Sequence, residues 1–117
     1  KEVKIMHKIY LFCNAGMSTS MMASKMQKVA DEHQLNMEVK AFSDNLLDKI
    51  ITEQNPDAIL LGPQVKHIYD KVVTRYGHLG KPIFVINSED YGNMDGERVL
   101  KQAILEIKKK KAESEGK

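Results

Sequence analysis

Residues 9–20 read Ile9-Tyr10-Leu11-Phe12-Cys13-Asn14-Ala15-Gly16-Met17-Ser18-Thr19-Ser20. The continuous apolar run over 9–12 is typical of a strand that is covered on both faces, and apolar residues recur at helical spacing from Met17 onward. Cys13, the only cysteine of the chain, therefore lies between a predicted buried strand and a predicted helix. A strand, a glycine-containing loop and a helix in this order indicate the first unit of an α/β fold.

The rest of the chain repeats this alternation of strand and helix. Period-two alternation predicts an edge strand over 35–41, and apolar runs predict further strands over 58–61 and 83–86. Helical spacing predicts helices after each of them, over 46–51, 65–76 and 95–107, with Ser43 and Asp95 as caps. We predict an α/β fold: a single-domain open four-stranded parallel sheet of order 2-1-3-4 with helices on both faces. The domain takes in residues 1–117, with an ordered core over about 7–110 and flexible termini that fray from Ala112 onward.

Composition narrows the class of protein. The chain has 117 residues and a net charge of +2, which is too small to indicate a nucleic-acid partner. The basic run 108–111 is interpreted as a solvated helix end. A single cysteine is typical of a reducing compartment, and no apolar run approaches the roughly 20 residues of a membrane span, so we expect a cytoplasmic protein. The four histidines have no spacing that predicts a metal site, and we expect no cofactor.

The predicted strand order places Cys13 in a crevice. The chain reverses direction between the first and third strands, and ligands bind outside the carboxyl ends of strands at such a switch point. Unpaired N–H groups and the positive end of the helix dipole favour an anion and the nucleophilic thiolate form of cysteine. We therefore expect a phosphate-binding cradle, similar to a P-loop, formed by residues 14–20: Asn14, Ala15, Gly16, Met17, Ser18, Thr19 and Ser20.

Further candidates surround this crevice. The segment Gly62-Pro63-Gln64 follows the third strand, where Gln64 can donate its side-chain amide to an anion. The same segment would equally serve as a turn that caps the next helix, and turn chemistry alone explains its glycine and proline. The segment 91–96 is interpreted as a long loop that contributes Tyr91 to the rim. The helical spacing of the methionines in the first helix favours the core for most of them, but Met17 and Met21 lie near the cysteine loop. We expect Met21, Pro63, Gln64 and Tyr91 to form part of a rim or docking face.

Besides a phosphate carrier, three readings of the cysteine loop remain open at this point. Low-molecular-weight cysteine phosphatases need an arginine six positions after the cysteine, where this chain has Thr19; loss of such a clamp costs about 10³ or more in rate. An arsenate reductase would need a resolving cysteine, which is absent from the sequence. A non-catalytic anion-sensing domain, with Cys13 merely packed, is the third reading. A loop that binds phosphate without strong assistance for water attack favours a carrier.

The chain closely resembles one protein family. Residues 9–20, the segment Leu60-Leu61-Gly62-Pro63-Gln64-Val65 and the residues from Tyr91-Gly92 to Asp95-Gly96 are similar to the IIB component of the bacterial phosphoenolpyruvate-dependent sugar phosphotransferase system, of the lactose, cellobiose and chitobiose class. The resemblance extends from about His7 to Lys109. It implies a phosphohistidine–sugar phosphotransferase component in which Cys13 accepts phosphoryl from a IIA protein and passes it to a sugar held by the IIC membrane permease. Transfer of this kind implies a loop that is open to solvent and no metal ion.

Overall fold

The computed structural model describes residues 6–14 and 17–115 and contains one parallel sheet. Its four strands run in the order β2-β1-β3-β4, which confirms the predicted order 2-1-3-4. The strands are β1 (His7–Cys13), β2 (Met37–Ser43), β3 (Ala58–Leu61) and β4 (Ile83–Val85). All four residues of β3 are buried, as expected of a strand that is covered on both faces.

Helices cover both faces of this sheet. They are α1 (Met17–Glu32), α2 (Leu47–Gln54), α3 (Tyr69–Tyr76), α4 (Ser88–Gly92) and α5 (Gly96–Glu115). Alternate residues of β1 point to opposite faces, so Ile9 and Leu11 join a core with α1 and α5. Tyr10 and Phe12 join a second core with α2 and α3. The predicted layer of helices on each face is thus confirmed.

The short helix α4 is a correction to the sequence prediction of four helices. Asn87 caps it by accepting a hydrogen bond from the backbone N–H of Asp90 at 3.0 Å. The helix includes Tyr91, which the sequence assigns to a loop. Five residues are too few to show a helical period, so the pattern of apolar residues gave no sign of it.

The single helix predicted over 65–76 is also wrong in part. A 3₁₀ segment covers Pro63–Ile68, and α-helical structure begins only at Tyr69. Val65 has φ −118° and ψ 26°, outside the helical region, and its side chain is fully buried in the second core. The break therefore turns Val65 inward at the point where an unbroken helix was expected.

Left-handed residues end two of the helical segments. Asn55 adopts a left-handed conformation with φ 52° at the end of α2, and Gly80 does so with φ 74° after the turn that follows α3. The last helix, however, continues to Glu115, beyond Ala112, where fraying was expected. The expectations for residues 1–5 and 116–117 lie outside the described residues. Within the part of the chain that the structure describes, every helix is too short or too polar to cross a membrane.

Candidate functional site

Cys13 is the last residue of the central strand β1, at the edge of the sheet where all four parallel strands end. Its partner in the sheet register is Ser43, the last residue of β2. Helix α1 begins at Met17, so its first turn lies at the same edge as Cys13. Two of the predicted phosphate-binding residues, Ala15 and Gly16, lie outside the described residues.

The sulfur atom of Cys13 is buried, against the expectation that the cysteine loop is open to solvent. The residue is 1% exposed, and its Sγ donates a hydrogen bond to Oε1 of Gln64 at 3.1 Å. Gln64 itself is exposed at the start of the 3₁₀ segment. The structure thus brings Cys13 and Gln64 together, as the switch-point argument requires, but as a direct contact rather than across an anion.

Gly62 has a specific reason to be glycine. A Cβ atom at this position would lie 2.6 Å from Cys13 Sγ and 3.1 Å from Gln64 Oε1. The sulfur therefore occupies the space in which any other residue would place its side chain. Sequence reasoning explained Gly62 by turn chemistry alone and missed this contact, because the partner is distant along the chain.

Tyr91 lies beneath the first turn of α1 rather than on the rim. Its hydroxyl oxygen is 2.8 Å from Ser18 Oγ and 2.9 Å from Thr19 Oγ1, and the residue is 6% exposed. A phenol has one hydrogen to donate, so Tyr91 can donate to at most one of the two hydroxyls. This burial corrects the placement of Tyr91 in the docking face. The side chain of Thr19 is also buried, and its hydroxyl binds Tyr91.

A cavity of about 250 Å³ opens beside the cysteine on the side of β2. Its lining residues are Cys13, Asn14, Thr19, Ser20, Ala41, Phe42 and Ser43. The volume is many times the roughly 30 Å³ share of one water molecule, so a cavity lined in part by Cys13 has room for a tetrahedral oxyanion. Ser43, which the sequence assigned only as a helix cap, is an addition to the site. Its Oγ does accept a bond from the N–H of Asn45 at 3.2 Å, and its hydroxyl hydrogen remains available.

An apolar surface borders the site on α1. Met17 is 78% exposed and Met21 is 49% exposed, whereas Met22 and Met26 are fully buried in the core. Met17 and Met21 are four residues apart and so lie on the same side of the helix. Pro63, on the other side of Cys13, is half-buried.

Neither arginine of the chain lies at this site. Arg75 pairs with Asp48 at 2.9 Å, and Arg98 pairs with Asp90 at 2.9 Å. A hydrogen bond from Tyr76, together with Arg75, holds the pKa of Asp48 below its ordinary value. Among residues 6–14 and 17–115, no three His, Cys, Asp or Glu side chains are grouped as a metal site would need. Among the described residues, the polar groups near Cys13 are therefore several hydroxyls, the side-chain amides of Asn14 and Gln64, and a helix start.

Comparison with known proteins agrees with this arrangement. The family described as "PTS system, Lactose/Cellobiose specific IIB subunit" matches residues 8–102, and the chain belongs to this family. Membership gives the protein a role in sugar phosphotransfer as a transferase component of that system.

Two relatives from Lactococcus lactis match over 98 residues, which is 81% of this chain and 91% of each relative. The galactose-specific EIIB component is 42% identical and the cellobiose-specific EIIB component is 41% identical. The solution structure of the cellobiose-specific IIB component from Borrelia burgdorferi has a TM-score of 0.73 at 34% identity, covering 90% of this chain and 94% of that chain. The lactose-specific IIB domain of Streptococcus pneumoniae has a TM-score of 0.77, 16% identity and coverage of 87% and 98%, and supports the fold alone.

Proposed function

We propose that this protein is a cytoplasmic phosphocarrier whose acceptor is the sulfur of Cys13. It takes phosphoryl from a phosphohistidine on a IIA protein and delivers it to a sugar held by a IIC membrane permease. The sugar is a β-glucoside-type disaccharide of the cellobiose, chitobiose and lactose class. These partners and this class follow from the resemblance. The relative named for cellobiose supports a disaccharide, whereas the relative named for galactose is named for a monosaccharide.

One observation carries the proposal. In a chain of the IIB family, the only cysteine ends the central strand and lines a cavity of about 250 Å³ beside the start of α1. The N–H groups of a first helical turn have no partners within the helix and suit phosphoryl oxygens. Ser20 and Ser43 add hydroxyls that line the same cavity.

The two transfers balance without a cofactor. Cys13 first loses its thiol proton to solvent; the sulfur then forms an S–P bond as the N–P bond of the phosphohistidine breaks, and the imidazole nitrogen keeps the electron pair. In the second transfer a sugar hydroxyl forms an O–P bond and releases its proton, while the S–P bond breaks and Cys13 leaves as thiolate. The protein contributes position and hydrogen-bond donors, which dominate phosphoryl transfer in general.

A carrier fits the site better than a hydrolase. The position six residues after Cys13 is Thr19, whose side chain is buried against Tyr91, and both arginines are engaged elsewhere. Without a guanidinium on the transferring oxygens, attack by water is slow. The phosphocysteine therefore survives long enough to meet the next protein.

Intact-mass measurement tests this function. After incubation with phosphoenolpyruvate, the general phosphotransferase proteins and a cognate IIA, we expect one phosphoryl group per chain. The variant Cys13→Ser, with a circular dichroism spectrum that shows it folded, should carry none. Omitting IIA is the matched control and should also give unmodified protein.

Two results would contradict the proposal. One is a phosphoryl group that persists in Cys13→Ser, which would place the acceptor elsewhere. The other is rapid hydrolysis of an aryl phosphate by the protein alone, which would favour the phosphatase reading.

A further inference from the structure

We infer that Gln64 is a second catalytic residue. In the resting protein its amide oxygen accepts a hydrogen bond from the thiol of Cys13, and after phosphorylation its amide group turns round so that the NH₂ donates to the phosphocysteine. The inference rests on the proposed function and adds to it a residue that contacts the sulfur but does not line the cavity. It begins from the contact of 3.1 Å between Cys13 Sγ and Gln64 Oε1.

This contact is the only hydrogen bond of the Gln64 side chain to another of the described residues. Among residues 6–14 and 17–115, then, Cys13 is the one hydrogen-bond partner of this amide. Because the residue is exposed, rotation of its end is not blocked by a surrounding core. Gly62, which lacks the Cβ that would lie 2.6 Å from the sulfur, lets the amide and the sulfur approach each other over its backbone.

The observed polarity of the contact suits only one state of the cysteine. A carbonyl oxygen accepts the proton of a thiol, but a thiolate or a thiophosphate has no proton to give. An amide oxygen at 3.1 Å from an anionic sulfur would then be repelled. The resting contact must change when Cys13 ionises.

A glutamine resolves this conflict with almost no change of shape. Rotation by half a turn about its last bond exchanges the oxygen for an NH₂ group, which has two donors. One N–H can then point to the sulfur or to a phosphoryl oxygen. Hydrogen bonds to charged groups contribute more than neutral ones, so the donor matters most in the phosphorylated state.

Two substitutions at this position separate the chemistry from the packing. Gln64→Glu keeps the size of the side chain but can only accept when ionised, and Gln64→Met keeps the length without any donor. Gln54→Glu is the matched control for the added charge, because Gln54 is exposed at the end of α2, away from the edge of the sheet that holds Cys13.

The first measurement needs no partner protein. Since Cys13 is the only cysteine, iodoacetamide reports on it alone, and its rate can be followed against pH by intact mass. We expect the profile of Gln64→Glu to lie at higher pH than that of wild type, with a rate at pH 7 that is lower by about tenfold or more. Gln64→Met should fall between the two, and Gln54→Glu should match wild type.

The second measurement follows the phosphorylated protein. Phosphorylation of Cys13 by IIA is called charging below. Once charged in this sense, Gln64→Met and Gln64→Glu should lose the phosphoryl group several times faster than wild type and Gln54→Glu. In ¹⁵N-labelled wild type, the side-chain amide protons of Gln64, assigned by their absence in Gln64→Met, should move downfield on charging. A side chain with only a packing role would leave these signals in place.

The outcomes test the role of Gln64 separately from the phosphocarrier function. If wild type is charged on Cys13 but Gln64→Met keeps its phosphoryl group as long as wild type, with unmoved Gln64 amide signals, the role of Gln64 is overturned and the carrier function stands. If wild type is not charged on Cys13 at all, the carrier function itself falls.

Discussion

The hydroxyl oxygen of Tyr91, on α4, lies 2.8 Å from Oγ of Ser18, in the first turn of α1. A short helix near the end of the chain is thereby joined to the helix that follows the cysteine. The same oxygen is 2.9 Å from Thr19 Oγ1, so two consecutive residues of that turn share one phenol. Tyr91 is thus placed to fix the position of the helix start that we propose as the phosphoryl-binding site.

Replacing Tyr91 with phenylalanine should weaken both the fold and the transfer. The change leaves the buried hydroxyl of Thr19 without this partner, which costs about 1–3 kcal/mol in the free energy of unfolding. Urea unfolding measures that loss, and the rate of charging by IIA should fall as well. The matched control is Tyr69→Phe, because no hydroxyl contact joins Tyr69 to another described residue. Equal stability and equal charging in the two variants would contradict a positioning role for Tyr91.

The order of the strands could be predicted because it depends on local patterns that survive in the fold. The apolar runs over 9–12 and 58–61 became the buried strands β1 and β3. Since right-handed crossovers leave few arrangements for such strands, the location of Cys13 at the crevice edge followed too.

The environment of the cysteine could not be predicted, because it depends on contacts between distant parts of the chain. The hydrogen bond from Cys13 to Gln64 joins residues 51 positions apart, and the one between Ser18 and Tyr91 joins residues 73 apart. A tyrosine beside glycine and asparagine in a polar segment is typical of an exposed loop, and no local pattern shows that its ring points inward. The docking, phosphate-binding and partner assignments remain predictions.

Substitution of Gly62 tests whether the sulfur needs the space above the glycine. In Gly62→Ala the new methyl group would lie 2.6 Å from Cys13 Sγ, so the sulfur, the amide of Gln64 or the strand end must move. We expect unfolding to become easier by about 1–3 kcal/mol and charging to slow by about tenfold or more. The matched control is Gly92→Ala, whose methyl group would meet no atom within 4 Å, and which should fold and accept phosphoryl as wild type does. Normal charging of Gly62→Ala would refute this account of the glycine.

The stability of the protein should depend on pH through Glu38. A hydrogen bond from Tyr10 at 2.7 Å, with Lys40 as a further partner, holds the pKa of Glu38 below its ordinary value of 4.5. A lowered pKa in the folded state contributes stability above the ordinary value, and this stability is lost as the pH falls through the folded value. We expect Glu38→Gln to be less stable than wild type by about 1 kcal/mol at pH 7.

That difference should shrink from about pH 5 downward, because protonation removes the charge of Glu38 in wild type as well. Urea unfolding at a series of pH values measures it. Glu53→Gln is the control, since Glu53 is exposed and makes no ion pair or side-chain hydrogen bond with the other described residues. A difference that stays constant down to pH 3 would rule out Glu38 as the source.

Met21 offers a test of the docking face. It is 49% exposed on α1, one turn beyond Met17, so its side chain is available to a partner that must approach Cys13. A carboxylate at this position would be buried without a counter-ion when a partner docks, which is costly, whereas in the free protein it remains in water. Met21→Asp should therefore slow phosphoryl exchange with IIA by about tenfold at low protein concentration and leave the urea midpoint nearly unchanged.

The variant Leu105→Asp is the matched control, because Leu105 is 47% exposed on α5, and it should exchange phosphoryl at the rate of wild type. Equal slowing by Met21→Asp and Leu105→Asp would point to a general effect of charge, and only a selective loss at Met21 assigns the docking face to the first turns of α1.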